Sequence, residues 1–308
     1  MKKGRGLKIG VIGVGSMGQN HARVLASYVK GVQLVAIADA NETLAAEVAG
    51  KYAVESLLDY HAILPLVEAV IVATPTSTHF SVGKECLEAG KHVLIEKPLA
   101  PAPAEALALA ELAKSKGLVL AVGLIERFNP AFTELRKLIR KEKIIGINIK
   151  RTSPFPTRIT DANVVQDMMI HDLDLLNVLL AHDEIETLTA EGKKVKTKNL
   201  DFVSATVHFT SGVVARVVAD RVADDKIRKI SVTTEDRMVE ADLLNKQVYV
   251  RDLKHAAPSV HHVKNCDQLT EELTNFVVAI KNHTNSEVDA FAGYRATKLA
   301  EEVEKACS

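Results

Sequence analysis

An excess of charge of either sign is the first thing missing from this 308-residue chain: Lys+Arg and Asp+Glu each number 39, so the formal net charge is zero. That balance gives no electrostatic basis for binding nucleic acid or an anionic membrane. Cysteine is scarce as well. Cys86, Cys266 and Cys307 are far apart and form no Cys-x-x-Cys pair, which fits a reducing compartment with buried or idle thiols. No uninterrupted apolar run approaches about 18 residues, so no membrane span is expected. The basic start, Met1 to Gly6, leads into a strand broken by glycines and carries no cleavage signature. Repeats and low-complexity tracts are absent too. A cytoplasmic protein is expected. What is present suits two cores: 47% of residues are hydrophobic and 25% charged, over a length that accommodates two domains of roughly 150 residues.

The first part of the chain alternates strand and helix. Leu7 to Ile12 is a short apolar run broken only by Lys8 and Gly10, and the segment from about Met17 to Val29 is helical. Gln33 to Ala38 is a second strand, Asn41 to Gly50 a helix and Ala69 to Ala73 a further strand. Phe80 to Ala89 is helical with Gly90 as its stop, and Ala104 to Lys116 is strongly helix-forming after Pro101 and Pro103. Leu118 to Val122 ends the series. Repeated units of this length predict a doubly wound parallel sheet with helices on both faces. Near Gly123 the pattern changes, which predicts domains 1–123 and 124–308. A helix to about Lys141, a strand over Ile144 to Lys150, a Pro-containing loop from Thr152 to Thr160 and a helix over Asn163 to Leu180 follow. From Ile185 to Val250 apolar residues recur with period two between turn signals, which predicts an antiparallel sheet. One face of it carries Val203, Ala205, Val207 and Phe209. The other carries Phe202, Ser204, Thr206 and His208, suited to solvent or to an oligomer contact. Helices over Gln268 to Lys281 and Ala290 to Ala306 close the chain.

Gly13-Val14-Gly15-Ser16-Met17-Gly18 lies between the first strand and the first helix, and Asp39 ends the second strand 21 residues after the last glycine. Such a turn binds a dinucleotide: one glycine turns the chain, the next admits the pyrophosphate, the third lets helix and strand pack, and the helix N-terminus favours phosphate charge. Asp39 would accept from the ribose hydroxyls and repel a 2′-phosphate. NAD is therefore expected over NADP.

His92 to Pro98 is a short apolar strand running into Glu96, Lys97 and Pro98. A lysine at the carboxyl end of such a strand lies where ligands bind in α/β sheets, although a lysine ending a strand is also an ordinary surface feature. Asp167, His171 and Asp174 fall at i, i+4 and i+7 on one predicted helix face. A carboxylate one turn from an imidazole can orient it and raise its basicity for acid–base work. Helix capping, an interdomain hydrogen-bond cluster and a metal site explain the same spacing; no further ligand cluster accompanies it, so no metal is expected. His79 could contact cofactor or substrate, or Thr76, Ser77 and Thr78 could simply cap a helix start. Arg158 could pair with an anionic substrate group or be an exposed arginine. His261 and His262 read as exposed loop, and Arg136, Lys137, Arg140, Lys141 and Lys143 as a solvated helix face.

Taken together, Gly13-x-Gly15-x-x-Gly18, Thr74-Pro75, Glu96-Lys97-Pro98 and Asp167-x-x-x-His171 resemble the glucose-fructose oxidoreductase/inositol dehydrogenase family over essentially the whole chain. The resemblance implies a Rossmann domain followed by an α+β domain with an open, mostly antiparallel sheet, assembled as a homodimer or homotetramer. It also implies that Lys97, Asp167 and His171 line the active site; Thr74, Pro75, His79 and Glu96, at the ends of the strands beside the glycine turn, are expected to border the cofactor. Met169 stands where the family often has glycine. The runs Glu126 to Pro130 and Asp167 to Asp172 look more like the branch acting on sugar nucleotides, such as UDP-N-acetylglucosamine 3-dehydrogenases, with Arg127 and Asn129 on the substrate side. The expected activity is NAD-dependent oxidation of a secondary alcohol on a sugar, sugar nucleotide or cyclitol. A non-catalytic NAD-binding regulator of the same fold is the rival, which could dispense with Lys97, Asp167 and His171.

Overall fold

In a computed structural model, which describes residues 6–155, 162–253, 259–263 and 266–307, the chain divides into two compact units. The first comprises 1–124 and 267–297, the second 125–266 and 298–308. In the first, β1 (Leu7–Ile12), α1 (Ser16–Ser27), β2 (Val32–Ala38), α2 (Glu42–Tyr52), β3 (Glu55–Leu57), β4 (Ala69–Val72), α3 (His79–Glu88), β5 (His92–Glu96), α4 (Pro103–Ser115) and β6 (Leu120–Gly123) follow in turn. The sheet order is β3-β2-β1-β4-β5-β6, parallel throughout. Both faces of a parallel sheet are covered, so its strands are continuously apolar: every residue of β4 is buried. The strand order reverses between β1 and β4, and ligands bind at the carboxyl ends of strands at such a switch point.

The second unit contains α5 (Pro130–Ile139), β7 (Ile144–Thr152), α6 (Ile170–Leu179), β8 (Ile185–Lys193), β9 (Phe202–Phe209), β10 (Val214–Asp220), β11 (Ile227–Thr234), β12 (Arg237–Asp242), β13 (Gln247–Asp252) and β14 (Ser259–His262). Its eight strands lie in the order β14-β13-β12-β11-β7-β10-β9-β8. All pairs are antiparallel except β10 on β7, which is parallel. Along β9 the predicted alternation holds: Val203, Ala205, Val207 and Phe209 are buried, while Phe202, Ser204 and Thr206 are half-buried and His208 exposed. His261 and His262 lie in β14 rather than in a loop.

Two differences from the sequence reading have plain causes. The helix expected over 163–180 begins as a π turn over Val165–Met169, in which the Ile170 N–H reaches back to the Val165 carbonyl, before α6 starts. Periodicity cannot resolve one widened turn. The second difference is the domain division, because α7 (Gln268–Asn282) and the first part of α8 (Ala290–Ala306) return to the first unit. There β6 is an edge strand, and its Val122 N–H donates to the Val288 carbonyl at 3.1 Å beside a bridge between Ala121 and Asp289. An open edge exposes unpaired backbone groups, and the returning segment covers this one. Among the described residues no helix is long and apolar enough to cross a membrane.

The return is close-packed. A Cβ at Gly293 would meet Val122 Cγ2 at 2.6 Å and Leu99 Cβ at 3.1 Å. Gly293→Ala gains about 1 kcal/mol in helix propensity but overpacks the contact at a cost of about 1–3 kcal/mol. Net destabilisation is expected in urea unfolding, and a variant more stable than wild type would contradict the tight approach.

Candidate active site

The glycine turn separates its three functions by burial. Gly13 has φ of 83°, and a Cβ there would lie 2.7 Å from the Ala73 carbonyl oxygen. A Cβ at Gly18 would lie 1.9 Å from the Gly13 carbonyl oxygen, so α1 can cross β1 this closely only without a side chain. Gly15 differs: nothing stands within 4 Å of its Cβ position, and Gly15, Ser16 and Met17 are exposed. Gly15 is also the N-cap of α1 and supplies no side-chain cap, so the first N–H groups keep their donor capacity. Asp39 is pinned at the end of β2: Val14 N–H donates to its Oδ2 at 2.7 Å and Asn41 N–H to its Oδ1 at 2.9 Å. Open backbone, uncapped helix and a fixed carboxylate suit a dinucleotide with free ribose hydroxyls.

The β4 and β5 ends are tied by His79, whose ring nitrogens lie 2.7 Å from the Pro98 carbonyl oxygen and 2.9 Å from that of Thr74. Burial pushes this imidazole below its ordinary pKa against those two hydrogen bonds. At 1% exposure His79 is buried between the two loops, with one ring nitrogen facing each carbonyl oxygen. Nor do Thr76 to Thr78 cap α3 through their side chains; Thr78 Oγ1 instead meets Thr74 Oγ1 and the Pro75 carbonyl oxygen, both at 2.8 Å. Thr74 is half-buried and Pro75 exposed.

Glu96 is an anchor. His21 Nε2 lies 2.7 Å from its Oε1, and Lys97 N–H donates to its Oε2 at 3.2 Å. Burial opposes its charge, but the His21 hydrogen bond and the cations around it hold the carboxyl below its ordinary pKa. Lys97, half-buried, follows directly. His21 escaped the sequence reading, although its position eight residues after Gly13, on the buried face of α1, was a usable signal.

In the second unit Asp167 lies on the π turn and His171 in the first turn of α6, both half-buried. Asp174, one turn further along α6, is buried and accepts from Arg127 Nε at 2.6 Å and Nη2 at 2.5 Å. Arg127 and Asn129, expected on the substrate side, are buried with hydrogen bonds to the protein itself. Asn129 caps α5 and donates to Glu126 Oε2 at 3.0 Å and the Leu243 carbonyl at 2.9 Å. Arg158 lies outside the described residues. Among these, no group of three or more His, Cys, Asp or Glu side chains is arranged to hold a metal ion.

Behind His171 is a charge cluster that the sequence reading missed. Arg151, 3% exposed, donates through Nε to Asp172 Oδ2 at 2.9 Å, through Nη2 to Asp172 Oδ1 at 2.7 Å, and through Nη1 to Glu126 Oε1 at 3.0 Å. Arg228 Nη1 adds a second bond to that Glu126 oxygen at 3.0 Å. Burial alone would neutralise Glu126; the charges of Arg151, Arg228 and His171 outweigh it and lower its pKa to about 2. The legible signal was the pattern Ile147, Ile149, Arg151 in β7, an arginine on the buried face that demands a buried acid. Because Asp172 adjoins His171, its bond to Arg151 also fixes which way the start of α6 faces.

Removing Arg151 leaves two buried carboxylates, so Arg151→Leu is expected to cost about 3–5 kcal/mol in denaturant unfolding. Glu126 has a lowered folded pKa, so its contribution is complete above its ordinary value of 4.5 and fades as pH falls toward about 2. That shift corresponds to about 3 kcal/mol. Glu126→Gln should flatten the loss of stability over this acid range, and an unchanged acid profile would exclude Glu126 as its source.

A sequence profile described as oxidoreductase family, NAD-binding Rossmann fold, matches residues 7–124, and one described as GFO/IDH/MocA C-terminal domain matches 145–240. UDP-N-acetylglucosamine 3-dehydrogenase of Acidithiobacillus ferrooxidans is 34% identical over 305 residues, covering 96% of each chain. Its solved structure superposes with a TM-score of 0.92 over 98% of this chain and 97% of that one. The scyllo-inositol 2-dehydrogenase (NAD(+)) of Bacillus subtilis is 28% identical, over 80% of this chain and 78% of its own. With an open glycine turn and the Asp39 carboxylate fixed at the end of β2 already in its first unit, the chain belongs to the glucose-fructose oxidoreductase/inositol dehydrogenase (Gfo/Idh/MocA) family of NAD-binding oxidoreductases.

Proposed function

We propose that this protein is an NAD-dependent dehydrogenase oxidising a secondary alcohol on the sugar of a sugar nucleotide of the UDP-N-acetylglucosamine kind. The observation carrying this reading is a 34% identical relative of that activity matching 96% of the chain, against 28% over 80% for the inositol relative. Met169, where the family often has glycine, weakens the case for an inositol- or glucose-type pocket. The regulator reading has no comparable support, since these relatives are dehydrogenases.

The Gly13–Gly18 turn and the N-terminus of α1 would hold the pyrophosphate of NAD, and Asp39 the adenosine ribose; NAD supplies the hydride acceptor. The protein's own task is the hydroxyl proton. His171, or Lys97, takes it as hydride leaves the carbon. A cationic Lys97 stabilises the developing alkoxide. Asp167, one turn before His171, orients the imidazole and stabilises its protonated form. Glu96 serves behind Lys97, holding its backbone N–H. Arg127 and Asn129 support the scaffold beside the site: Arg127 Nε and Nη2 donate to Asp174, and the Asn129 amide donates to Glu126 and the Leu243 carbonyl.

Absorbance of NADH, followed with UDP-N-acetylglucosamine and with inositols, tests the substrate class: turnover of the sugar nucleotide is expected, and turnover of inositols alone would reverse the assignment. Lys97→Ala is expected to lower turnover by roughly 10²–10⁴-fold while changing NAD affinity far less, and Lys97→Arg to rescue little. Turnover within threefold of wild type would remove the lysine from the mechanism. Wild type should bind NAD more tightly than NADP, and Asp39→Ser combined with Ala40→Arg should level or reverse that preference in a binding titration. Tighter NADP binding by wild type would refute the ribose role of Asp39.

A further inference from the structure

One buried acid of the first unit has no part in the chemistry above. Glu272 lies on α7 among Leu269, Leu273, Phe276 and Val277, is 3% exposed, and neither of its carboxyl oxygens has a hydrogen-bond partner among the described residues. A buried carboxylate without partners is costly, and such a group keeps its proton instead. The charge bearing on it is that of Glu96, at the end of β5; burial first and Glu96 second push its carboxyl well above the ordinary value. From α1, which packs on α7, the buried titratable side chain is His21, already bonded to Glu96, and its Nδ1 also has no partner among the described residues. Glu271, its neighbour on α7, is exposed.

Glu96 has two bonds that matter for Lys97: one oxygen to His21 at 2.7 Å, the other to the Lys97 N–H at 3.2 Å. A second negative charge nearby would repel the Glu96 carboxylate and strain both. We propose that Glu272 is a positioning residue, a protonated carboxylic acid that leaves Glu96 as the single negative charge of this buried group and so keeps the Lys97 backbone held. Its ionisation sets an alkaline limit on turnover. The functional part rests on Lys97 being the catalytic lysine; the protonation of Glu272 does not.

The sign of the pH dependence follows from that proton. Unfolded, Glu272 ionises near the ordinary carboxyl value of 4.5; folded, it retains its proton to higher pH. Its effect on stability is therefore most favourable below the unfolded value and declines as pH rises toward the folded one, by up to about tenfold in the folded-to-unfolded ratio per pH unit. Glu96 and Glu126, shifted downward, act in the acid range instead.

Three measurements on the full chain decide the matter. Infrared difference spectra of wild type against Glu272→Gln near neutral pH should show loss of a protonated-carboxyl C=O band; loss of ionised-carboxylate bands alone would overturn the proposal. Thermal unfolding of wild type between about pH 5 and 9 should decline relative to Glu272→Gln as pH rises; parallel profiles would overturn it as well. If Glu272→Gln does not fold, Glu272→Leu, which likewise carries no ionisable group, takes its place in both. With NAD and UDP-N-acetylglucosamine, the variant should extend the alkaline limb of kcat with KM little changed. A kcat profile superimposable on wild type would leave Glu272 structural and refute positioning. Absence of any turnover would count against the proposed substrate, while the first two measurements would still decide the protonation of Glu272.

Discussion

A guanidinium on the apolar face of a strand is the constraint on which the second unit depends. Arg151 continues the buried row Ile147, Ile149 of β7, and its burial is tolerable only because Asp172 and Glu126 neutralise it. Exchange for apolar residues of similar volume can match or exceed the stability of such a group, so stability alone does not explain its presence. What it supplies is orientation. Bidentate pairing joins the centre of the sheet to the first turn of α6, where His171 sits one residue before Asp172.

The first unit uses charge in the same manner at the end of β5. Glu96 is buried and held by His21 and by the Lys97 backbone, so the lysine follows a carboxylate whose position is set from two directions. His79 adds a tie between the β4 and β5 ends through two carbonyl oxygens. These buried polar groups limit how the loops can sit. The pyrophosphate turn depends on absence instead: Gly13 and Gly18 are needed where a Cβ would collide, and Gly15 where nothing stands.

The elements were legible where periodicity is strong. β1 and α8 have the bounds read from the sequence, and Asn41 and Asn129 show why α2 and α5 begin where they do, each side chain accepting a helical N–H. The short strand β3, the π turn and the parallel pairing of β10 on β7 were not legible. A three-residue strand carries no period, a single widened turn is invisible to a helical template, and strand direction depends on connections rather than on composition.

The sequence by itself determined the alternation of strand and helix, the fingerprint with its acid at Asp39, and the candidates Lys97, Asp167 and His171, because local spacing and residue chemistry are written along the chain. Only the tertiary structure decided which polar residues are buried and which partners hold them there. Asp174, Arg127, Asn129 and His79 read as site residues and are buried among protein partners, whereas Arg151 and His21 drew no notice. The reason is physical: a buried charge is defined by partners tens of residues away, 25 between Glu126 and Arg151 and 75 between His21 and Glu96, and no local pattern carries that distance.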